Sequence, residues 1–324
     1  MTAFTASSAI LGFLGRHGTH AVAISLFSGI ALPPLAALFK PLIAPALFFL
    51  LCGAFLRVDP REARAYIARP RLALIATAWT MLVVPALAGG ALALTGIAEN
   101  APGLYIALIL QTAAPPVISS AALVALMGLD AALALVLLIA CTIMTPLSAT
   151  LFAAVFIGPS LSISPYALGF KLFALLAGAG LIAALVRRIA GEAWIARQAE
   201  RIDGLNVILM FVFIVALMDG VAASTLADPM HVFALTALAF AIALGLAGLT
   251  ALIFWRSGLM AALALGFSSG SRNMGLMLAA AAGAAPDLTW LYFALAQLPI
   301  FLLPQLLKPL VRWLAPTYPD KPAA

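Results

Sequence analysis

From Val232 to Trp255 the chain holds no charged residue and only scattered small polar ones. A run of that length is what an α-helix needs to cross the roughly 30 Å hydrocarbon core of a bilayer. One such helix could be buried in a large soluble protein, but here the pattern recurs along nearly all 324 residues, 65% of them apolar and 9% charged. No single soluble core could hide that much apolar surface, so the composition predicts an integral membrane protein. The runs are too long for barrel strands and show no sustained alternation, so the expected class is an all-α polytopic membrane protein.

Runs bounded by Pro, Gly, Asn, Asp and Arg predict ten transmembrane helices, at 20 to 37, 41 to 57, 71 to 95, 103 to 127, 130 to 157, 165 to 187, 204 to 224, 230 to 254, 258 to 283 and 288 to 312. Pro33, Pro34, Pro41 and Pro45 mark kinks or a break in the first two. The first long run begins near His20 and lacks a small-residue cleavage site, so it is expected to stay in the protein as a span. The whole chain, 1 to 324, reads as one membrane domain of two five-helix inverted repeats, at about 20 to 157 and 165 to 312.

Basic residues set the expected orientation, because they retard translocation of the short loops that hold them. With an even number of spans, one side receives Arg16, Arg57, Arg61, Arg64, Arg69, Arg71, Arg187, Arg188, Arg197, Arg201, Arg256, Lys308, Arg312 and Lys321. The other receives only Lys40 and Lys171. Dropping or adding one internal span would scatter these residues over both faces. The reading therefore places both termini in the cytoplasm, in a bacterial-type inner membrane. The polar loops 58 to 70 and 188 to 203 read as solvated connectors with some surface helix. The formal net charge of +6 is explained by these loops, so no nucleic-acid partner is expected.

Two spans contain breaks. In QTAAPPVISSAALVALMGLD, residues 111 to 130, Pro115 and Pro116 remove two backbone donors and push the preceding residue out of helical geometry. In FSSGSRNMGLML, residues 267 to 278, Ser268, Ser269, Gly270 and Ser271 are weak helix formers. Open backbone at membrane depth persists only where protein or a water-filled cavity satisfies it. Two such breaks at matching positions of two five-span halves point to broken crossing helices at spans four and nine, with a binding site near the midplane. Arg272 strengthens the case. An ionisable residue near a span centre costs at least about 2.5 kcal/mol on insertion scales, and so faces a cavity or a partner. Asp219 is one candidate partner and, alternatively, a candidate proton carrier, while Asp203 is expected to cap the seventh span.

At these residues the chain resembles the bile acid:sodium symporter family. GSRNMGL, residues 270 to 276, is similar to that family's E-x-G-x-Q-N-x-G-L pattern through Gly270, Asn273, Gly275 and Leu276. APPVISSAALVALMGLDAALALV, residues 114 to 136, is similar to its proline crossover through Pro115, Ser120 and Asp130. The resemblance implies a panel domain and a core domain with helices crossing at the substrate site. It also locates departures. The sodium-binding glutamate falls on Ser268, the glutamine on Arg272, the asparagine after Ser120 on Ala121, two hydroxyl ligands on Ala134 and Leu138, and a further glutamine near Thr80. Sodium needs several oxygen ligands, preferably with a carboxylate among them.

The expectation is thus a secondary transporter of an organic anion in which the Arg272 guanidinium takes the electrostatic place of sodium, with sodium coupling weak or absent. Arg272 could neutralise the crossover and hold a carboxylate bidentately, aided by the positive end of a half-helix. Asn273, Ser268, Ser269, Ser271, Ser119, Ser120, Pro115, Pro116, Thr112 and Thr80 complete the candidate substrate-binding set. No cofactor and no metal are expected; Cys52 and Cys141 lie in apolar runs and the three histidines do not cluster. The expected partners are a small organic anion and the lipid bilayer, with a homodimer as the candidate assembly. A conventional sodium-coupled organic acid symporter, a sodium-independent carrier similar to auxin efflux carriers, and a substrate-binding membrane sensor are the alternatives. A membrane-embedded enzyme needs a nucleophile with a base or a metal set, and the spans offer neither.

Overall fold

The computed structural model describes residues 18–57, 70–158, 162–281 and 283–317. The described residues are almost entirely helical, with no strand among them. Among the described residues, seven helices are long and apolar enough to cross a membrane: Pro33–Arg57, Arg71–Ala93, Ala131–Ile157, Pro165–Ala190, Ala199–Ala227, Pro229–Ile253 and Asp287–Leu314. They lie largely within seven of the ten expected ranges, and the shorter helices Gly18–Ala31, Pro102–Ala113 and Leu259–Gly270 lie largely within the other three, the last two being interrupted midway.

The first boundary differs from expectation. Helix ends at Ala31, Leu32 leaves helical geometry, and Pro33 and Pro34 occupy the first turn of the next helix, where a missing N–H costs nothing. The chain then passes Pro41 and Pro45 without breaking, through a tight 3-10 turn at Lys40–Leu42 into Ile43–Arg57. The predicted limits of the first two spans are corrected accordingly. Arg16, Arg61, Arg64, Arg69, Lys321 and most of the predicted loop 58 to 70 lie outside the described residues.

The chain divides into two compact units, and each draws on both halves of the sequence. One comprises Met1–Val58 and Phe173–Val232. Within it, Ala199–Leu217 packs on Gly18–Ala31, Pro33–Phe39 and Ile43–Arg57. Gly29 and Gly53 make this closeness achievable, because a Cβ on either would strike Met218 or Asn206. Arg187 donates from Nη2 to the carbonyls of Phe55 and Leu56, closing the end of Ile43–Arg57. Asp203 does not cap its helix, which starts a turn earlier at Ala199; its carboxylate pairs with Arg57 at 2.9 Å. Asp219, in the bend after Leu217, pairs with Lys40 at 2.8 Å, so its partner is that lysine and not Arg272.

The other unit comprises Asp59–Leu172 and Phe233–Ala324. It contains both interrupted helices. Ala131–Phe152 lies against Leu259–Gly270, Ser120–Met127 and Pro70–Ala78, while Ser120–Met127 also packs on Gln297–Thr317. Two apolar clusters fill these contacts, one around Leu123, Val124, Ala134 and Phe267, the other around Met81, Leu137, Cys141 and Leu265. Gly266 and Gly270 let Leu259–Gly270 lie directly on the backbone of Pro229–Ile253. A Cβ on Gly266 would stand 2.5 Å from the carbonyl oxygen of Ala247, and one on Gly270 would overlap that of Ala243.

Candidate functional site

The first interrupted helix runs Pro102–Ala113 and resumes at Ser120–Met127. Ala114 is extended, at φ −70° and ψ 151°, as the residue before a proline must be. The resumed half ends at Gly128 in the left-handed region, φ 82°, and Asp130 then caps the next helix by accepting from the Leu133 N–H at 2.9 Å. The second interrupted helix runs Leu259–Gly270 and resumes at Met274–Ala281. Ser271 is extended, and Asn273 Oδ1 accepts from the Leu276 N–H at 3.1 Å, which starts the resumed half.

The two open stretches pair with each other. The Asn273 N–H donates to the Pro115 carbonyl and the Val117 N–H donates to the Ser271 carbonyl, each at 2.8 Å. Pro116 and Arg272 thereby form an antiparallel bridge, a fragment of sheet inside a helical unit. Backbone that helix formation leaves open is satisfied here by the opposite break, which is what the apolar interior demands.

Arg272 is fully buried at this bridge. Its Nη1 donates to the Ala114 carbonyl at 2.8 Å and to the Thr80 carbonyl at 3.1 Å. Nε donates to the Ser269 carbonyl, and Nη2 to Ser269 Oγ at 3.3 Å. Three separate segments thus converge on one guanidinium. Ala114 and Ser269 close the C-terminal ends of the two first halves, where aligned peptide dipoles concentrate negative potential. Thr80 lies in a π turn, Trp79–Val83, a wide turn that disturbs the regular i→i−4 ladder. All of the guanidinium's partners are neutral oxygens, with no carboxylate among them.

Around the crossover, Thr80 Oγ1, Ser119 Oγ, Ser120 Oγ and Ser268 Oγ are buried and have no hydrogen-bond partner among the described residues. Such hydroxyls are uncommon in a finished core and are the groups a ligand would satisfy. Thr112 is different: its hydroxyl donates back to Leu108 and Ile109 of its own helix. The hydroxyls of Thr142, Thr145 and Ser148 in Ala131–Phe152 are likewise turned to their own helix, on Leu138, Cys141 and Met144. Ala134 and Leu138, the positions of two expected losses of sodium ligands, are buried hydrocarbon. No group of three or more His, Cys, Asp or Glu residues suited to a metal ion occurs among the described residues.

A second buried polar contact had not been singled out. The Tyr292 hydroxyl donates to Gln111 Oε1 at 2.7 Å, and Thr289 Oγ1 donates to the Gly103 carbonyl at 2.6 Å, so Asp287–Leu295 is fastened along Pro102–Ala113. The available signal was Gln111 itself, a polar residue just ahead of the Pro115–Pro116 break; Tyr292 is 181 residues away in sequence and gives no local sign of being its partner.

Among known families, the model for the Sodium Bile acid symporter family matches residues 44–228. The match includes the first interrupted helix and stops short of the second. No curated protein matches the chain.

Proposed function

We infer, from the premise that this chain belongs to the Sodium Bile acid symporter family and is a multi-pass membrane transporter, that it carries an organic anion through a crossover whose fixed charge is Arg272. The observation that supports this reading is the bonding of the buried guanidinium to carbonyls from three segments. Ring-like arrays of carbonyl oxygens are what a desolvated metal cation requires. Here a covalently attached cation fills that role, in a place where the family pattern's glutamate is Ser268 and its glutamine is Arg272.

Of the two roles open to Arg272, neutralising the crossover is favoured over gripping a carboxylate bidentately, because most of its N–H groups are already engaged. Substrate oxygens would then meet the free hydroxyls of Thr80, Ser119, Ser120 and Ser268 and the N-terminal ends of Ser120–Met127 and Met274–Ala281, where the helix dipole is positive. We further read the chain as ten spans in two inverted repeats with both termini cytoplasmic.

The test is thermal stability of purified wild type and Arg272→Gln across a sodium series, with choline as control, and with taurocholate, pantoate and indole acetate as probes. A ligand at a hundred times its Kd stabilises the folded state by about 2.7 kcal/mol. Wild type is expected to ignore sodium, to gain roughly 5 °C with at least one acid, and to lose that gain on substitution. A sodium response in wild type would defeat the substituted-cation reading and assign the free hydroxyls to a sodium ion.

A further inference from the structure

Resting on the reading of this chain as an organic-anion carrier, we propose that Arg272 is the countercharge of a monoanionic substrate, so that net transport moves charge while substrate exchange is electrically silent. The guanidinium is fully buried, and its partners, three carbonyls and one hydroxyl, reduce its energy without cancelling its charge. A guanidinium has five N–H groups and keeps its charge through the physiological pH range. Four hydrogen bonds are formed, which leaves one Nη2 N–H for a ligand. On the segments that meet at the crossover, the hydroxyls of Thr80, Ser120 and Ser268 are fully buried and have no partner among the described residues.

Among the described residues, no carboxylate or histidine hydrogen-bonds to Arg272. The acid closest in sequence to the first break, Asp130, is occupied in capping Ala131–Phe152. The site therefore has one unit of positive charge when empty and none when it holds a monoanion. When access alternates, the loaded site passes through the membrane field as a neutral pair. The empty site returns as a cation, and that return is the voltage-sensitive step. One negative charge is moved per net cycle, while loaded-for-loaded exchange moves none. The return of a bare buried cation is also the slower step, so exchange outpaces net flux.

The test uses proteoliposomes in sodium-free choline and potassium media, with the potential set by valinomycin and labelled taurocholate, pantoate and indole acetate each used as probe. A potential of 100 mV acting on one charge shifts the steady-state distribution of the transported acid roughly fiftyfold. That shift is expected in net flux, and exchange with the same acid on both sides is expected to be unchanged by potential. Arg272→Lys retains the charge and should retain silent exchange. Arg272→Gln leaves the loaded site negative, so its exchange should become voltage-sensitive.

Net accumulation that ignores the potential would overturn the proposal, as would a wild-type exchange rate that varies with potential as steeply as the rate of net flux. Silent exchange in Arg272→Gln would remove the assignment to this residue; if that variant does not fold, wild type and Arg272→Lys decide. Should none of the three acids move faster than in protein-free vesicles, the organic-anion reading itself fails, a result distinct from potential-independent transport.

Discussion

A guanidinium taken out of water costs several kcal/mol unless its N–H groups are met, and Arg272 is met mostly by main chain. That is why the residue was legible in the sequence and its partners were not. An arginine in the middle of an apolar run announces a cavity or a partner by its cost alone. Backbone carbonyls belong to every residue, so nothing in the letters at Thr80 or Ala114 marks them as acceptors. The same limit applies to Tyr292, whose partner Gln111 was in plain view without its donor. Tyr292→Phe should leave the Gln111 oxygen buried and without its donor, and cost about 1–2 kcal/mol. The readout is the midpoint of thermal unfolding in detergent. Combining it with Gln111→Leu should recover part of the loss, because removing both partners strands neither. Full additivity of the two losses would mean the pair contributes nothing as a pair.

At the level of elements, the two breaks were readable from Pro115, Pro116 and the Ser-Ser-Gly-Ser string, since each removes helix-forming capacity by a known mechanism. Their pairing into a bridge was not, because antiparallel register is decided by how two distant stretches meet. Seven of the expected spans are helices long and apolar enough to cross a membrane, whereas the first boundary was misplaced: prolines can start a helix as readily as they end one, and Pro33 and Pro34 start one. Asp203 was misread for a related reason, as a capping-type residue that sits inside the helix and pairs sideways with Arg57. Glycines on the helices show how context sets the effect of one methyl group. Gly270→Ala would press on the Ala243 carbonyl, and should cost about 1–3 kcal/mol and displace Leu259–Gly270 from Pro229–Ile253. Gly245→Ala, on the latter helix with nothing within 4 Å of its Cβ, should be neutral or stabilise by about 0.5–1 kcal/mol. Parallel melting curves of the two variants check the contrast, and equal effects would contradict the close approach.

At the level of the whole molecule, composition alone sufficed for a membrane protein of many helices, and the local matches around Pro115 and Asn273 pointed to the family that the match over residues 44–228 establishes. Which segments make up each of the two units was out of reach of the sequence, because one joins Met1–Val58 to Phe173–Val232 and the other Asp59–Leu172 to Phe233–Ala324. The proposed topology rests on the distribution of Arg and Lys and can be checked directly. Single cysteines at Lys40 and at Arg256, in a chain lacking Cys52 and Cys141, should react with a membrane-impermeant maleimide from opposite faces of oriented vesicles. Labelling from the same face would remove the ten-span reading. The bridge between Pro116 and Arg272 has a consequence for how such a chain can change over generations. Its two hydrogen bonds count residues: one added or lost between Gly270 and Met274, or between Ala113 and Ser120, moves the paired groups out of step and turns Arg272 away from its carbonyls. A change of length that a surface loop would absorb therefore breaks the crossover even when every side chain in it is kept.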